Sequence, residues 1–205
     1  MSRERWMGLS FAIGSLCFLV GPFPGYAQLV GAEADAITFF VGSIFFTAGG
    51  ALQTSLAWHE KGSATWWAAV IQSAGTLCFN VSTFLALNTS ISNSDYDRLV
   101  WRPDALGSVC FLVSGVIAYR AASRARPGWW EALVNLLGCV FFGISAVAGY
   151  VVPSEGSEID LAAANWNTAA GAACFLVCAL ATLMTGHTVK SSRVRRLVDE
   201  IEELV

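Results

Sequence analysis

Six cysteines and two histidines are the residue types in this sequence that could bind a soft metal or a haem. Cys174 and Cys178 lie four residues apart, which places both thiols on one face of a helix. His59 and His187 follow two apolar stretches at similar distances, as an axial pair would. All six cysteines lie inside apolar stretches, where cysteine also packs as a small apolar side chain. We therefore expect no metal and no cofactor.

Uncharged polar side chains inside the apolar stretches form a second candidate set. Gln72, Asn80 and Asn135 either hydrogen bond between helices or line a path for a small solute. Asp104 and Glu131 fall where apolar stretches begin, and a helix N-terminus favours acidic residues there. No charged residue lies in the middle of a stretch, which argues against a proton-coupled transporter. With no paired acid and base, we expect no catalytic residues and no enzyme.

The composition indicates that these candidate residues belong to secondary-structure elements embedded in a membrane. Of 205 residues, 55 % are hydrophobic and only 13 % are charged, and the mean hydropathy is +0.57. Soluble domains carry about 25 % charged residues. This balance excludes a disordered chain and argues against a nucleic-acid partner bound through net charge.

Six apolar stretches are long enough to cross the hydrocarbon as helices, which requires about 20 residues. They lack the period of two that barrel strands show. The predicted fold is therefore all-α, a polytopic integral membrane protein with six transmembrane helices. The stretches are Trp6–Val30, Asp35–Trp58, Thr65–Leu87, Pro103–Tyr119, Gly128–Val152 and Trp166–Gly186.

The basic residues predict the direction of these spans. With the N-terminus in the cytoplasm, ten of the 12 Lys and Arg residues lie on the cytoplasmic side, and only Arg98 and Arg102 lie outside. Lys and Arg accumulate in cytoplasmic loops. We expect a multi-pass membrane protein with both termini cytoplasmic and with membrane lipids as its partners.

One short signature occurs once in every span: Gly, usually a small residue, any residue, Cys or Phe, then Phe. Such glycines let two helix backbones approach closely in lipid. The signature predicts one central packing layer, and a ligand or ion site on its axis is the alternative. Its glycines are Gly14, Gly42, Gly75, Gly107, Gly138 and Gly171.

The tryptophans group the spans into three tandem hairpins with pseudo-three-fold symmetry. Trp6, Trp67 and Trp130 each precede a signature glycine by eight residues, and Gln72 and Asn135 share one offset after their Trp. Repeats of this kind indicate a duplicated structural unit. The predicted units are residues 1–62, 63–126 and 127–188, followed by a cytoplasmic amphipathic tail over residues 189–205.

The first span also has features of a cleavable signal peptide, because Arg3 and Arg5 precede its apolar run. Its Trp and its signature match those of the later repeats, so we expect the span to be retained. Pro22 and Pro24 then break its outer half. That segment is either a cavity wall or a simple helix end followed by an apolar loop.

The tail places its apolar residues on one face of a helix, with basic residues first and acidic residues after them. Residues 191–205 could pair with a second copy of the chain, giving a homo-oligomer, or dock on a protein partner. The stretch is about two heptads long, too short to predict a coiled coil.

The hairpin unit resembles the YrhK-like family of small bacterial membrane proteins, on its Trp, its close second helix and the Gly-Ser-x-Cys-Phe-Leu of residues 14–19 and 107–112. The resemblance covers the chain three times, apart from the tail. Phe45 and Phe141 replace the Cys of the pattern, and Cys139 and Ala172 replace its Ser or Thr. It implies a bacterial plasma membrane and no catalytic residues.

Two functions remain open on the sequence. The first is a non-catalytic six-helix bundle that acts as a structural, lipid-binding or partner-binding component. The alternative is a channel or facilitative transporter for a small uncharged solute or ion, lined by Gln72, Asn80 and Asn135.

Overall fold

The computed structural model describes residues 1–88, 92–123, 128–152 and 154–202, with side chains as far as Thr185. Almost all of them are helical. In chain order the elements are α1 (Arg3–Val20), α2 (Tyr26–Val30), α3 (Ala32–Leu56), a 3-10 turn (Ala57–Glu60), α4 (Ala64–Leu85), α5 (Asn93–Tyr96), a π turn (Asp97–Trp101), α6 (Arg102–Ala121), α7 (Trp129–Ala148), β1 (Val151–Val152), β2 (Ser157–Glu158) and α8 (Leu161–Glu202). The two strands pair antiparallel, with Val151 opposite Glu158.

The helix ends follow local sequence signals. The Ser2 side chain accepts a hydrogen bond from the Arg5 N–H at the start of α1, and Ser63 accepts one from the Trp66 N–H at the start of α4. Both satisfy N–H groups that have no partner inside their helix. Gly128, with φ of +92°, turns the chain into α7.

The six long helices form a closed ring. Each packs against its neighbours in the chain, and α8 packs against α1. Along each pair of neighbouring helices, residue numbers increase in one helix as they decrease in the other. Gly14 faces Gly42, for example, while Gly49 faces Phe11. Neighbouring helices are therefore antiparallel, and the N-terminal turns of α1, α4 and α7 lie at the same end of the ring.

Five helical segments are long and apolar enough to cross a membrane: Ala32–Glu60, Ala64–Leu85, Asp97–Ala121, Trp129–Ala148 and Leu161–Thr185. Helix α1 is not among them, and its 18 residues include Arg3, Glu4 and Arg5. Large apolar side chains such as Leu77, Val109 and Met184 are exposed on the outside. An apolar exterior around apolar helices indicates a membrane-embedded helical protein.

The predicted break in the first apolar stretch, Trp6–Val30, is present in the structure. Helix α1 ends at Val20, and the chain turns before the short helix α2. Pro22 and Pro24 lack the backbone N–H that would continue the helix. Gly25, with φ of +90°, takes a left-handed conformation that other residues rarely adopt.

Two predicted polar connections also contain regular structure. Residues 88–102 include α5 and a π turn that leads without interruption into α6, and residues 153–165 include β2 and the start of α8. Their polar composition hid the helical periodicity. Helix α8 extends to Glu202, but the side chains of the predicted tail, and residues 203–205 altogether, lie outside the described residues.

Candidate functional site

Six phenylalanines fill the middle of the ring, one from each long helix. We call this set the phenylalanine layer; it comprises Phe18, Phe46, Phe79, Phe111, Phe142 and Phe175. Each is the last residue of a signature, and only 1–5 % of its surface is exposed. Neighbouring rings in the layer pack with centroids 5.0–6.4 Å apart, mostly tilted or edge-to-face, as aromatic quadrupoles prefer.

The period of the helix explains why the signature builds this layer. Its second and fifth residues are three apart and share one helix face. The second residues are 0–2 % exposed, and they are Ser15, Ser43, Thr76, Ser108, Cys139 and Ala172. The third residues, such as Leu77 and Val109, point outward. One five-residue pattern thus separates an axial face from an outer face.

The signature glycines lie where paired helices touch. A Cβ added at Gly14 would lie 2.9 Å from the Gly42 carbonyl oxygen. The same contact would measure 3.0 Å from Gly75 to the Gly107 oxygen, and 3.0 Å from Gly171 to the Gly138 oxygen. Backbones this close leave no room for a side chain.

A cavity of about 370 Å³ lies on one side of the layer, at the end formed by the N-terminal turns of α1, α4 and α7. We call it the Gln72 cavity. All six long helices contribute to its wall, and Phe46 and Phe175 close its inner end. Gln72 and Asn135 both line it, as does Phe11, which stands at the same offset after Trp6. Its volume far exceeds the ~30 Å³ that one water molecule occupies.

Amide groups give the Gln72 cavity its polarity. Buried Gln72 accepts a hydrogen bond through Oε1 from Ser114 Oγ at 3.3 Å. The Asn135 amide nitrogen lies 3.9 Å from Cys139 Sγ, a weak contact. The Gln53 Oε1 atom is buried and has no hydrogen-bond partner among the described residues. Apolar walls with a few polar groups that converge on one space are typical of a binding cavity.

A second cavity, of about 560 Å³, lies on the other side of the layer, and we call it the Asp104 cavity. It too is lined by all six long helices, and Phe18 and Phe142 close its inner end. Asp35, Asp104 and Glu158 are its acidic lining residues. The expectation that Asp104 only favours a helix N-terminus is incomplete, because the helical backbone continues upstream of it and its carboxyl group faces the cavity.

The negative charge of this cavity acts on Tyr96, which lines it near the end of α5. Burial raises the pKa of Tyr96 to about 12, and the charges of Asp104 and Glu158 contribute to the rise. The phenol therefore stays protonated at neutral pH and offers a hydroxyl group rather than a charge.

Asn80, Pro22 and Pro24 line neither cavity. Asn80 instead joins α4 to α3: its Oδ1 accepts from Ser43 Oγ at 2.7 Å, and its amide nitrogen donates to Thr47. Pro22 is buried, and Pro24 is exposed in the turn after α1. Of the five lining residues that the sequence proposed, the structure brings together Gln72 and Asn135.

The sequence argument did not identify four acidic residues as cavity-lining: Asp35, Asp104, Glu131 and Glu158. Asp35, Asp104 and Glu131 lie where apolar stretches begin, where a charge has an ordinary explanation, and Glu158 lies in the polar connection that follows Val152. The ring places both ends of every long helix around one axis, so a residue at a helix end can face a cavity on that axis. No pattern within a single stretch carries this information.

The cysteines and histidines do not converge. Within the described residues there is no group of three His, Cys, Asp or Glu placed to hold a metal ion, and all six thiols are free. His59 is exposed beside Glu60, at 3.4 Å. The side chain of His187 lies outside the described residues, so a pairing of the two histidines stays untested.

No family model, no curated protein and no solved structure matches this chain. The resemblance to the YrhK-like family therefore stays a prediction, and the functional argument depends on the geometry of the ring.

Proposed function

We propose that the protein is a membrane conduit for small ions or small polar solutes, closed in this structure by the phenylalanine layer. The observation that carries the proposal is the pair of cavities on opposite faces of that layer. Each has several polar groups in mainly apolar walls, each is larger than several water molecules, and each is lined by all six long helices. Polar cavities on the axis of an apolar ring are where a solute path would run.

The barrier between the cavities is one layer of rings thick. Phe46 closes the Gln72 cavity, Phe18 closes the Asp104 cavity, and their ring centroids are 5.3 Å apart. Phe175 and Phe142 repeat this arrangement at 5.4 Å. A narrow hydrophobic constriction stops ions because it excludes water, and it opens when a small movement admits water.

In this proposal all six long helices span the membrane as three hairpins around a pseudo-three-fold axis. Helix α1 is the sixth span because it packs between α3 and α8. Its 18 residues extend about 27 Å, close to the thickness of the hydrocarbon core. The distribution of basic residues favours an orientation in which the Gln72 cavity opens to the cytoplasm, and the resemblance to the YrhK-like family implies the plasma membrane.

Opening the layer tests the conduit. Phe142 lines the Asp104 cavity and packs against four other rings of the layer. Phe142→Ala should raise flux at least about tenfold, which corresponds to a barrier lowered by about 1.4 kcal/mol. Flux is measured as KCl current across planar bilayers and as glycerol uptake by proteoliposomes, because the solute is a small ion or an uncharged molecule.

Phe84→Ala is the matched control. Phe84 lies on the same ring of helices, is 58 % exposed and lines neither cavity, so its removal should leave flux unchanged. Size-exclusion chromatography and thermal unfolding establish that both variants are folded. A folded Phe142→Ala protein whose current and glycerol uptake equal those of Phe84→Ala contradicts the conduit. The layer would then be packing alone, and the non-catalytic structural, lipid-binding or partner-binding role would be favoured.

A further inference from the structure

Among the described residues, acidic side chains are the only charged groups on the walls of both cavities. Asp35, Asp104 and Glu158 line the Asp104 cavity, and Glu131 lines the Gln72 cavity. No Lys, Arg or His of the described chain lines either one. A cleft of one charge sign with low-dielectric walls raises the local concentration of ions of the opposite sign.

The two arginines at the acidic end are engaged elsewhere. Arg98 lies 3.7 Å from Asp95, and Arg102 lies 3.9 Å from Asp97. Both arginine side chains are largely exposed, and neither arginine lines the cavity. None of the acidic side chains that line the cavity forms a salt bridge with the described residues.

Polar atoms without a protein partner point to a ligand in the Asp104 cavity. Ser82 is only 4 % exposed, yet its hydroxyl group lines the cavity and forms no hydrogen bond with the described residues. The Asp35 Oδ1 atom is likewise buried without a partner. Buried polar groups are almost always hydrogen-bonded. A hydrated ion in the cavity would provide hydrogen-bond partners for the Ser82 hydroxyl group and for the Asp35 Oδ1 atom.

The Gln72 cavity and the phenylalanine layer, which lie on the same axis, also favour cations. The Gln72 cavity offers amide oxygens, including the unpartnered Oε1 of Gln53. The layer between the cavities consists of aromatic rings, and the face of an aromatic ring attracts cations. Because no three metal-ligating side chains converge within the described residues, the geometry suits a hydrated monovalent cation better than a chelated divalent one.

We infer that the conduit is selective for small monovalent cations, and that the carboxylates of Asp35, Asp104 and Glu158 select them at the Asp104 cavity. This inference rests on the proposed function and names the solute class that the conduit passes. Anions are repelled at the acidic mouth, and uncharged solutes gain nothing from its field.

The test measures the permeability ratio of K⁺ to Cl⁻, from reversal potentials of the Phe142→Ala protein in a KCl gradient. The expected ratio is about 10 or more. Adding Asp104→Asn and Glu158→Gln together should lower the ratio at least about threefold, because two charges leave the cavity wall. Both substitutions preserve side-chain shape, and thermal unfolding checks the fold.

Glu33→Gln together with Glu155→Gln is the matched control. Both residues are exposed acidic residues at the same end, and neither lines the cavity. The control pair should leave the permeability ratio within twofold of the Phe142→Ala protein. If both pairs lower the ratio equally, the selectivity comes from general surface charge, and the assignment to the Asp104 cavity is overturned.

The possible failures are distinguishable. A current with a ratio of one or below, or glycerol uptake without any current, overturns the cation inference and leaves the conduit standing. The absence of both current and glycerol uptake in folded Phe142→Ala protein overturns the conduit, and the cation inference falls with it.

Discussion

Replacing Gly75 by alanine should separate helices α4 and α6. The added Cβ would lie 2.7 Å from Phe111 Cδ1, 3.0 Å from Cys110 Cβ and 3.0 Å from the Gly107 carbonyl oxygen. The Gly107 oxygen is a backbone atom and the Cys110 Cβ is bonded directly to the backbone, so these two atoms move only if helix α6 moves. The third is a ring of the phenylalanine layer, held 5.0 Å from Phe79 and 5.6 Å from Phe175.

Gly143 supplies the reference for the magnitude. A Cβ added there meets nothing within 4 Å, and Gly143 lies within helix α7 as Gly75 lies within α4. Both substitutions gain about 1 kcal/mol of helix propensity. Overpacking costs about 1–3 kcal/mol at Gly75 alone. The difference between the two variants removes the propensity contribution and should leave Gly75→Ala less stable than Gly143→Ala by about 1–3 kcal/mol.

The assay is reversible unfolding in detergent micelles by a denaturing detergent, followed by circular dichroism and by tryptophan fluorescence. The free energy of unfolding is compared between the two variants and the parent protein. Gly143→Ala should match or exceed the parent. If Gly75→Ala is as stable as Gly143→Ala, helices α4 and α6 are not in tight contact at Gly75 in the folded protein. The interpretation that the signature glycines are needed for close helix packing is then refuted.

Two further predictions concern polar contacts between helices. Asn80→Ala removes the bonds to Ser43 and Thr47 and should lower the free energy of unfolding by about 0.6–2 kcal/mol. It should leave the current of the Phe142→Ala protein unchanged, and a changed current would place Asn80 on the path. Trp101→Phe removes the 2.7 Å hydrogen bond from Trp101 Nε1 to the Ala146 carbonyl oxygen and should cost about 1 kcal/mol. Trp166→Phe, which loses no hydrogen bond of the described chain, serves as its control; equal losses would contradict the assignment.

The helices were predictable because their signals are local. Length and hydropathy located α3, α4, α7 and the membrane part of α8 within a few residues. The predictions failed where polar composition conceals helical backbone, as over Asn93–Tyr96 and Asp97–Trp101. The break after Val20 was predictable from Pro22 and Pro24, although hydropathy alone does not show it.

The site was predictable only in part. The shared offset of Gln72 and Asn135 after their tryptophans was the signal that placed both residues in one cavity. Asn80 has the same chemistry, but its helix face turns toward α3, where Ser43 and Thr47 satisfy it. Hydropathy cannot distinguish a face that meets a neighbouring helix from a face that meets the axis, because both are buried from lipid.

The six helices form a ring, and this changes what the scarcity of charged residues inside the spans implies about function. In a single helix, Asp104 and Glu131 lie near the membrane surface, where water is close and a carboxylate is ordinary. In a ring of antiparallel helices, the same depth is the mouth of an axial cavity, and acidic residues there line the cavity wall. The middle of each span needs no charge, because the phenylalanine layer occupies it. Low charge therefore argues against a proton relay through the membrane, but it is compatible with a path whose selectivity lies at its mouths and whose barrier is apolar.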